Sequence, residues 1–67
     1  MNFGKALEAL KSGEKVKREK WGGYWKLENL SDLDFPVIVA TLKETYKRVP
    51  AVAYQEDMLS DDWELVK

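Results

Sequence analysis

An aromatic residue beside a run of cations is the feature of this sequence with the clearest chemical potential. Trp21 directly follows a basic stretch whose cations are Lys11, Lys15, Lys17, Arg18 and Lys20. An indole next to cations is typical of a surface that stacks a base and attracts an anion. A half-buried Trp next to a solvated strand face has the same sequence pattern, because Trp is often only partly buried. Both interpretations of Trp21 stay open from the sequence.

Carboxylates gather at the opposite end of the chain, at Glu56, Asp57, Asp61, Asp62 and Glu64. Such segregation of charge can steer one subunit onto another, although two ordinary charged surfaces would look the same. We expect Asp61 and Asp62 to turn the chain into its last strand, since Asp favours turns.

Most catalytic designs are excluded by composition, because the chain has no His and no Cys. Nucleophilic triads need a base close to a Ser or Cys. Asp57, Asp61 and Asp62 do not follow the ligand spacing of an EF-hand loop, and Gly22-Gly23 lacks the following Lys and Ser or Thr of a phosphate loop. The sequence therefore predicts a binding protein with no catalytic residue, no metal and no cofactor.

Length and charge restrict the partners further. The 67 residues allow one domain, residues 1–67, whose small core and lack of Cys favour a homo-oligomer. A formal net charge of -1 gives no field that would attract DNA, RNA or an anionic membrane. Without an apolar run that resembles a signal peptide or a membrane span, the chain is expected in the cytoplasm.

The periodicity of apolar residues predicts a helix followed by a sheet. Asn2 is a good N-cap, and Ser12-Gly13 ends a helix whose apolar stripe is Phe3, Ala6, Leu7 and Leu10. Alternation then predicts strands around 15–18 and 25–29, flanking a turn at Gly22-Gly23. A loop over 30–36 leads to 37–42, which is nearly all apolar, as expected of a strand that is buried on both faces or lies centrally in the sheet. We expect this segment to form the centre of the core.

The rest of the chain completes the predicted fold. Further strands are expected over 45–49, ended by Pro50, and over 63–66, with one helical turn over 55–59 between them. The predicted fold class is α+β: one N-terminal helix packed on a mostly antiparallel sheet of four to five short strands, with a short helical turn before the last strand.

Distinctive motifs lie near both ends of the chain. They are Met1-Asn2-Phe3-Gly4, the segment 6–13, Val16, Arg18, Trp21 and Gly23 at one end, and Val49-Pro50, Gln55, 57–59 and 61–66 at the other. With these motifs the chain resembles a family of short phage and bacterial proteins associated with the second type of Thoeris anti-defence protein. The resemblance spans nearly the full length and is weakest in the middle.

The resemblance implies an oligomeric sponge, a tetramer in the family, in a phage-infected bacterial cell. It would sequester a cyclic ADP-ribose-type signal made by a Thoeris system, without cleaving it. Some relatives look able to hold cyclic oligonucleotides as well. The implied ligand-binding residues are Phe3, Arg18, Trp21, Gln55 and Asp57, which supply a stacking face, a cation and polar groups for ribose hydroxyls.

The chain differs from the family pattern at three positions, and an alternative function also remains open. Gly22 replaces a usual Asn, Ala51 a frequent Trp and Tyr54 a frequent Ser, so the fold carries over more safely than the ligand. The alternative is a protein-binding module or inhibitor with no nucleotide ligand, whose interface anchors would be the aromatic residues Tyr24, Trp25, Tyr46 and Tyr54.

Overall fold

The computed structural model describes residues 1–43 and 47–66 of the chain. In chain order the elements are α1 (Phe3–Lys11), β1 (Lys15–Arg18), β2 (Tyr24–Glu28), β3 (Val37–Thr41), β4 (Arg48–Pro50), α2 (Gln55–Leu59) and β5 (Trp63–Val66). The strands form a five-stranded sheet in the order β4-β3-β2-β1-β5, and every neighbouring pair is antiparallel. The predicted α+β fold class is confirmed.

The caps that the sequence predicts delimit helix α1. The side chain of Asn2 accepts a hydrogen bond of 2.8 Å from the backbone N–H of Lys5, which satisfies one of the free donors of the first turn. At the other end Gly13 adopts a positive φ of 88°, which lets the chain reverse into β1. Ala6 and Leu10 point into the core and are buried.

The sheet presents one face to α1, and we call it the inner face. Register places Val16, Trp25, Ala40 and Val49 in one row across β1, β2, β3 and β4. Because side chains alternate along a strand, these four residues lie on the same face. Helix α1 packs against β1, β2 and β5, and so leaves the β3–β4 end of the inner face without a helix over it.

Aromatic residues dominate the core. The buried cluster consists of Ala6, Leu10, Val16, Trp25, Ala40 and Trp63. The expected burial of segment 37–42 on both faces is confirmed at Val39 and Ala40, which lie on opposite faces of β3 and are 6% and 9% exposed. The segment is not the centre of the core, however, because only Ala40 belongs to this cluster. Indole rings bury far more area than Val or Ala, and β2 rather than β3 is the middle strand.

The remaining predicted elements are present in the described residues, although some of their bounds differ: β4 begins at Arg48, so that Lys47 precedes it. The turn around Gly22-Gly23 joins β1 to β2, and residues 30–36 contain neither helix nor strand. Strand β4 includes Pro50 and lies at the edge of the sheet, where a residue without an N–H is tolerated. Residues 45 and 46 of the predicted strand over 45–49 lie outside the described residues.

Candidate ligand-binding cleft

An open cleft of about 730 Å³ lies on the inner face, beyond the reach of α1. Trp25, Ala40 and Val49 line it from the sheet, and further lining comes from the turn after β1 and from the segment between β4 and α2. Its volume falls within the range of about 300–1,000 Å³ that is usual for small-molecule sites. The uncovered end of the sheet is therefore large enough for a nucleotide-sized ligand.

Trp21 lines the cleft and is held there by two other indoles. Its ring centroid lies 5.2 Å from that of Trp25 and 5.2 Å from that of Trp63, in a tilted and an edge-to-face arrangement. Phe3 lies on the far side of Trp63, with a centroid distance of 5.5 Å, and is not among the cleft residues. Trp21 thus has a rigid aromatic support and remains half-buried rather than fully covered.

The turn that carries Trp21 requires glycine because it approaches strand β3 closely. A Cβ atom built on Gly23 would overlap the carbonyl oxygen of Thr41 and would lie 3.2 Å from its carbonyl carbon. A Cβ atom on Gly22 would instead meet the aliphatic stem of Lys43, with 2.9 Å to Cδ and 3.3 Å to Cβ. Only the contacts at Gly23 involve backbone atoms, which cannot move aside without disturbing the sheet.

Arg18 lies beneath the cleft in a network of carboxylates. Its Nε and Nη2 donate to the two oxygens of Asp62, at 2.7 and 3.2 Å, and its Nη1 donates to Asp57 at 2.8 Å. Only 5% of Arg18 and 7% of Asp57 is exposed, and the ion pair between them compensates both charges inside the protein. The guanidinium is committed to structural partners.

The pKa values of this network follow from its hydrogen bonds. The hydrogen bonds from Arg18 lower the pKa of the Asp62 carboxyl, and the hydrogen bond to Asp62, followed by that to Asp57, raises the pKa of Arg18 above its ordinary value. The hydrogen bond of 2.5 Å from Lys20 lowers the pKa of Glu56. The Arg18 guanidinium and the carboxylates of Asp62 and Glu56 are therefore charged at neutral pH.

Asp57 fixes the short helix α2 in place. Besides the guanidinium, its carboxylate accepts a hydrogen bond of 3.1 Å from the backbone N–H of Tyr54, and its carbonyl oxygen accepts one of 2.9 Å from the Trp63 indole N–H. Asp57 thereby joins β1, α2 and β5. Although it lines the cleft, its carboxylate oxygens are already occupied by protein donors.

The structure brings together part of the predicted site. Trp21 and Asp57 line the cleft, whereas Phe3, Arg18 and the exposed Gln55 are not among the cleft residues. Sequence reasoning did not single out four further cleft residues as ligand contacts: Lys20, Lys43, Val52 and Tyr54. Lys20 belongs to the basic stretch before Trp21, which the sequence did single out. No local sequence pattern indicated Lys43 as a cleft residue, because only tertiary contacts bring it to Gly22.

Three of the four aromatic residues proposed as protein-binding anchors are described by the structure, and these three do not form one surface. The proposal of Trp25 as an exposed anchor is wrong, because only 5% of Trp25 is exposed and it belongs to the core. Tyr24 precedes Trp25 and lies on the opposite face of β2, where the Lys15 ammonium lies 5.0 Å from the Tyr24 ring centroid. Tyr54 is 69% exposed beside the cleft, and Tyr46 lies outside the described residues.

Across residues 1–43 and 47–66, no group of three or more acidic side chains is arranged to hold a metal ion. None of the helices in that part of the chain has the length and apolar character needed to cross a membrane. The cleft beside Trp21 is the candidate site that these observations leave.

Comparison with known proteins agrees with the resemblance seen in the sequence. No curated protein matches the chain. Among protein families, the Tad2-like family, described as the Thoeris anti-defense 2-like domain, matches residues 1–66. Because this match covers both terminal motifs and every helix and strand of the fold, the chain belongs to the Tad2-like family of Thoeris anti-defense domains.

Proposed function

We propose that this protein sequesters a cyclic ADP-ribose-type signalling nucleotide in the cleft beside Trp21 and so blocks Thoeris defence in an infected bacterial cell. Cyclic oligonucleotide signals are a second ligand class for the same function. The observation that carries the proposal is an apolar cleft of nucleotide size with a supported indole in its lining. Base stacking on an aromatic side chain contributes roughly 1–3 kcal/mol per base.

The shape and composition of the cleft suit a base in particular. Trp21 offers a rigid aromatic surface, and Tyr54 adds an exposed aromatic ring among the cleft residues. Val49, Pro50 and Val52 supply apolar contacts. A planar, mostly apolar group that carries polar substituents at its edge fits such a lining.

Binding without cleavage is the chemistry that these residues favour. The chain has no His and no Cys, and the cleft carboxylates Glu56 and Asp57 are paired with Lys20 and Arg18. A general acid or base needs a proton that it can exchange near neutral pH, and the lowered pKa of Glu56 removes it from that range. The ligand is therefore held intact, as a sponge function requires.

The first prediction is that cyclic ADP-ribose isomers stabilise the protein and are recovered unchanged. At a ligand concentration about 100 times Kd, linkage adds about 2.7 kcal/mol, which raises the Tm of a domain this small by roughly 10 °C or more. Differential scanning fluorimetry measures the shift, and chromatography of the ligand released by heating shows whether it is intact. Degraded ligand would identify an enzyme, and no shift with any nucleotide would refute the proposed function.

Trp21 provides the matched test of where the ligand binds. Replacing Trp21 with Leu is expected to weaken nucleotide binding at least about tenfold, because the stacking surface is lost. Tyr24→Leu is the control, since it removes an aromatic side chain from the opposite face of the same sheet. Equal weakening in both variants, measured by calorimetric titration, would place the ligand outside the cleft.

We also propose that the protein acts as a homo-oligomer, either a dimer or a tetramer. Val52 is 62% exposed, Tyr54 69% and Leu59 82%, and all three lie between β4 and the end of α2. Large apolar groups exposed together are typical of interaction surfaces. The prediction is a molar mass of two or four chains by light scattering, and dissociation of the assembly on Leu59→Glu substitution. A well-folded wild-type monomer would contradict it.

A further inference from the structure

Four charged side chains line the cleft, and three of them are neutralised by protein partners. The Lys20 ammonium lies 2.5 Å from a carboxylate oxygen of Glu56, and Asp57 is bound by Arg18 at 2.8 Å. Lys43 is the fourth, and within residues 1–43 and 47–66 it has no hydrogen bond or ion pair. The described lining of the cleft therefore carries one uncompensated positive charge.

The position of this charge depends on the absence of a side chain at residue 22. The stem of Lys43 lies over Gly22, so that a Cβ atom at that position would come within 2.9 Å of Lys43 Cδ and 3.3 Å of its Cβ. Gly22 belongs to the same turn as Trp21 and lines the cleft. The stem packs against the turn that holds the indole, and Lys43 and Trp21 both line the cleft.

We propose that Lys43 binds a phosphate group of the ligand, and that it is positioned to do so by Gly22. This inference rests on the proposed function and adds the residue that selects anionic nucleotides over neutral nucleosides. An ammonium group has three donors and no acceptor, so it pairs with phosphate oxygens and repels other cations. Lys20 contributes less, because an incoming phosphate would have to displace Glu56 from it.

Selectivity follows from the charge balance of the cleft. Stacking on Trp21 does not distinguish adenosine from its phosphates, since the base is the same in each. The ammonium of Lys43, which has no partner within the described part of the chain, adds a favourable interaction only when the ligand carries a negative charge. Affinity therefore rises from adenosine to AMP and to ADP, and the rise is weakened by salt because Lys43 is exposed.

The test is a calorimetric titration of adenosine, AMP, ADP and cyclic ADP-ribose into four proteins: wild type, Lys43→Gln, Gly22→Ala and the double variant. Lys43→Gln is expected to weaken ADP binding about tenfold and to leave adenosine binding unchanged. Gly22→Ala is expected to weaken ADP binding about threefold by displacing the stem of Lys43, and to have no further effect in the double variant. Lys26→Gln, on the opposite face of the sheet, is the control of equal charge.

The outcomes separate this inference from the proposed function. ADP binding that depends on Lys43, in a protein that does not bind cyclic ADP-ribose, would support the phosphate subsite and refute the sponge. Cyclic ADP-ribose binding that is unchanged by Lys43→Gln would support the sponge and overturn the subsite. Equal losses with Lys43→Gln and Lys26→Gln would show only a general effect of charge, and would also overturn it. A wild-type protein that binds none of the four ligands would refute both.

Discussion

Replacing Arg18 with Met is expected to unfold most of the protein at neutral pH and to invert the pH dependence of its stability. In the wild type the guanidinium joins Asp57 and Asp62, and each of these carboxylates would lose its cation in the variant. Removing one partner of a buried ion pair is far more costly than replacing the whole set with apolar groups, because a buried charge is left uncompensated. We expect Tm to fall by about 15 °C or more.

The inversion follows from the sign of the pKa shifts. In the wild type the pKa values of Asp62 and Glu56 are lowered by their cationic partners, so their contribution to stability is complete above their ordinary values of roughly 4 to 4.5. That contribution is lost as the pH falls through the lowered values. Without Arg18, protonation instead removes an unpaired buried charge, and so acid stabilises the variant relative to neutral pH.

Thermal unfolding between pH 4 and pH 8 measures this effect directly. The triple variant Arg18→Met, Asp57→Asn, Asp62→Asn should recover most of the lost stability at neutral pH, because it buries no unpaired charge. Arg48→Met is the control, since Arg48 pairs with Glu28 at the surface, where an ion pair contributes little. A single variant Arg18→Met as stable as the wild type at pH 7 would show that the network is not structural.

Replacing Gly23 with Ala is expected to destabilise the protein about as strongly, although it adds a single methyl group. The new Cβ atom would overlap the Thr41 carbonyl oxygen and lie 3.3 Å from Leu42 Cα, and these are backbone atoms at the end of β3. Overpacking costs typically 1–3 kcal/mol, and a clash with backbone belongs at the upper end of that range. The expected decrease in Tm is about 15 °C.

Gly22→Ala is the matched control because it makes the same change one residue earlier. Its Cβ atom would meet the stem of Lys43, a flexible side chain that can rotate away. We therefore expect a change of less than about 1 kcal/mol in the free energy of unfolding, measured by urea denaturation. Similar losses in both variants would mean that the turn as a whole, rather than its approach to β3, requires glycine.

These two predictions connect the stability of the protein to its cleft. Arg18 and Asp57 hold α2 against the sheet, and Gly23 lets the turn that carries Trp21 approach β3. Asp57 and Gly23 themselves line the cleft, so the groups that maintain the fold also shape the candidate site. Lys43 can be replaced without disturbing these groups, whereas Trp21 also packs against the buried cluster, so the stability of a Trp21 variant has to be measured together with its ligand binding.

The helices and strands were largely predictable from local sequence. The Asn2 cap, the helix end at Gly13 and the period-two alternation around Gly22-Gly23 each depend on neighbouring residues, and all three appear in the structure. The core was less predictable. Segment 37–42 was the most continuously apolar part of the sheet, yet the core centres on Trp25 and Trp63, because three-dimensional contacts between large rings decide where most area is buried.

The candidate site shows the same division more sharply. By itself, the sequence determined the family, the α+β fold class and the absence of His and Cys. It identified Trp21 as a candidate but left open whether its indole stacks a ligand or is only half-buried beside a solvated strand face. Only the tertiary structure decided that Arg18 forms ion pairs with Asp57 and Asp62, and that Lys43 has no ion pair among the described residues. Charge type is written in the sequence, but the pairing of charges depends on distances between residues that lie far apart along the chain.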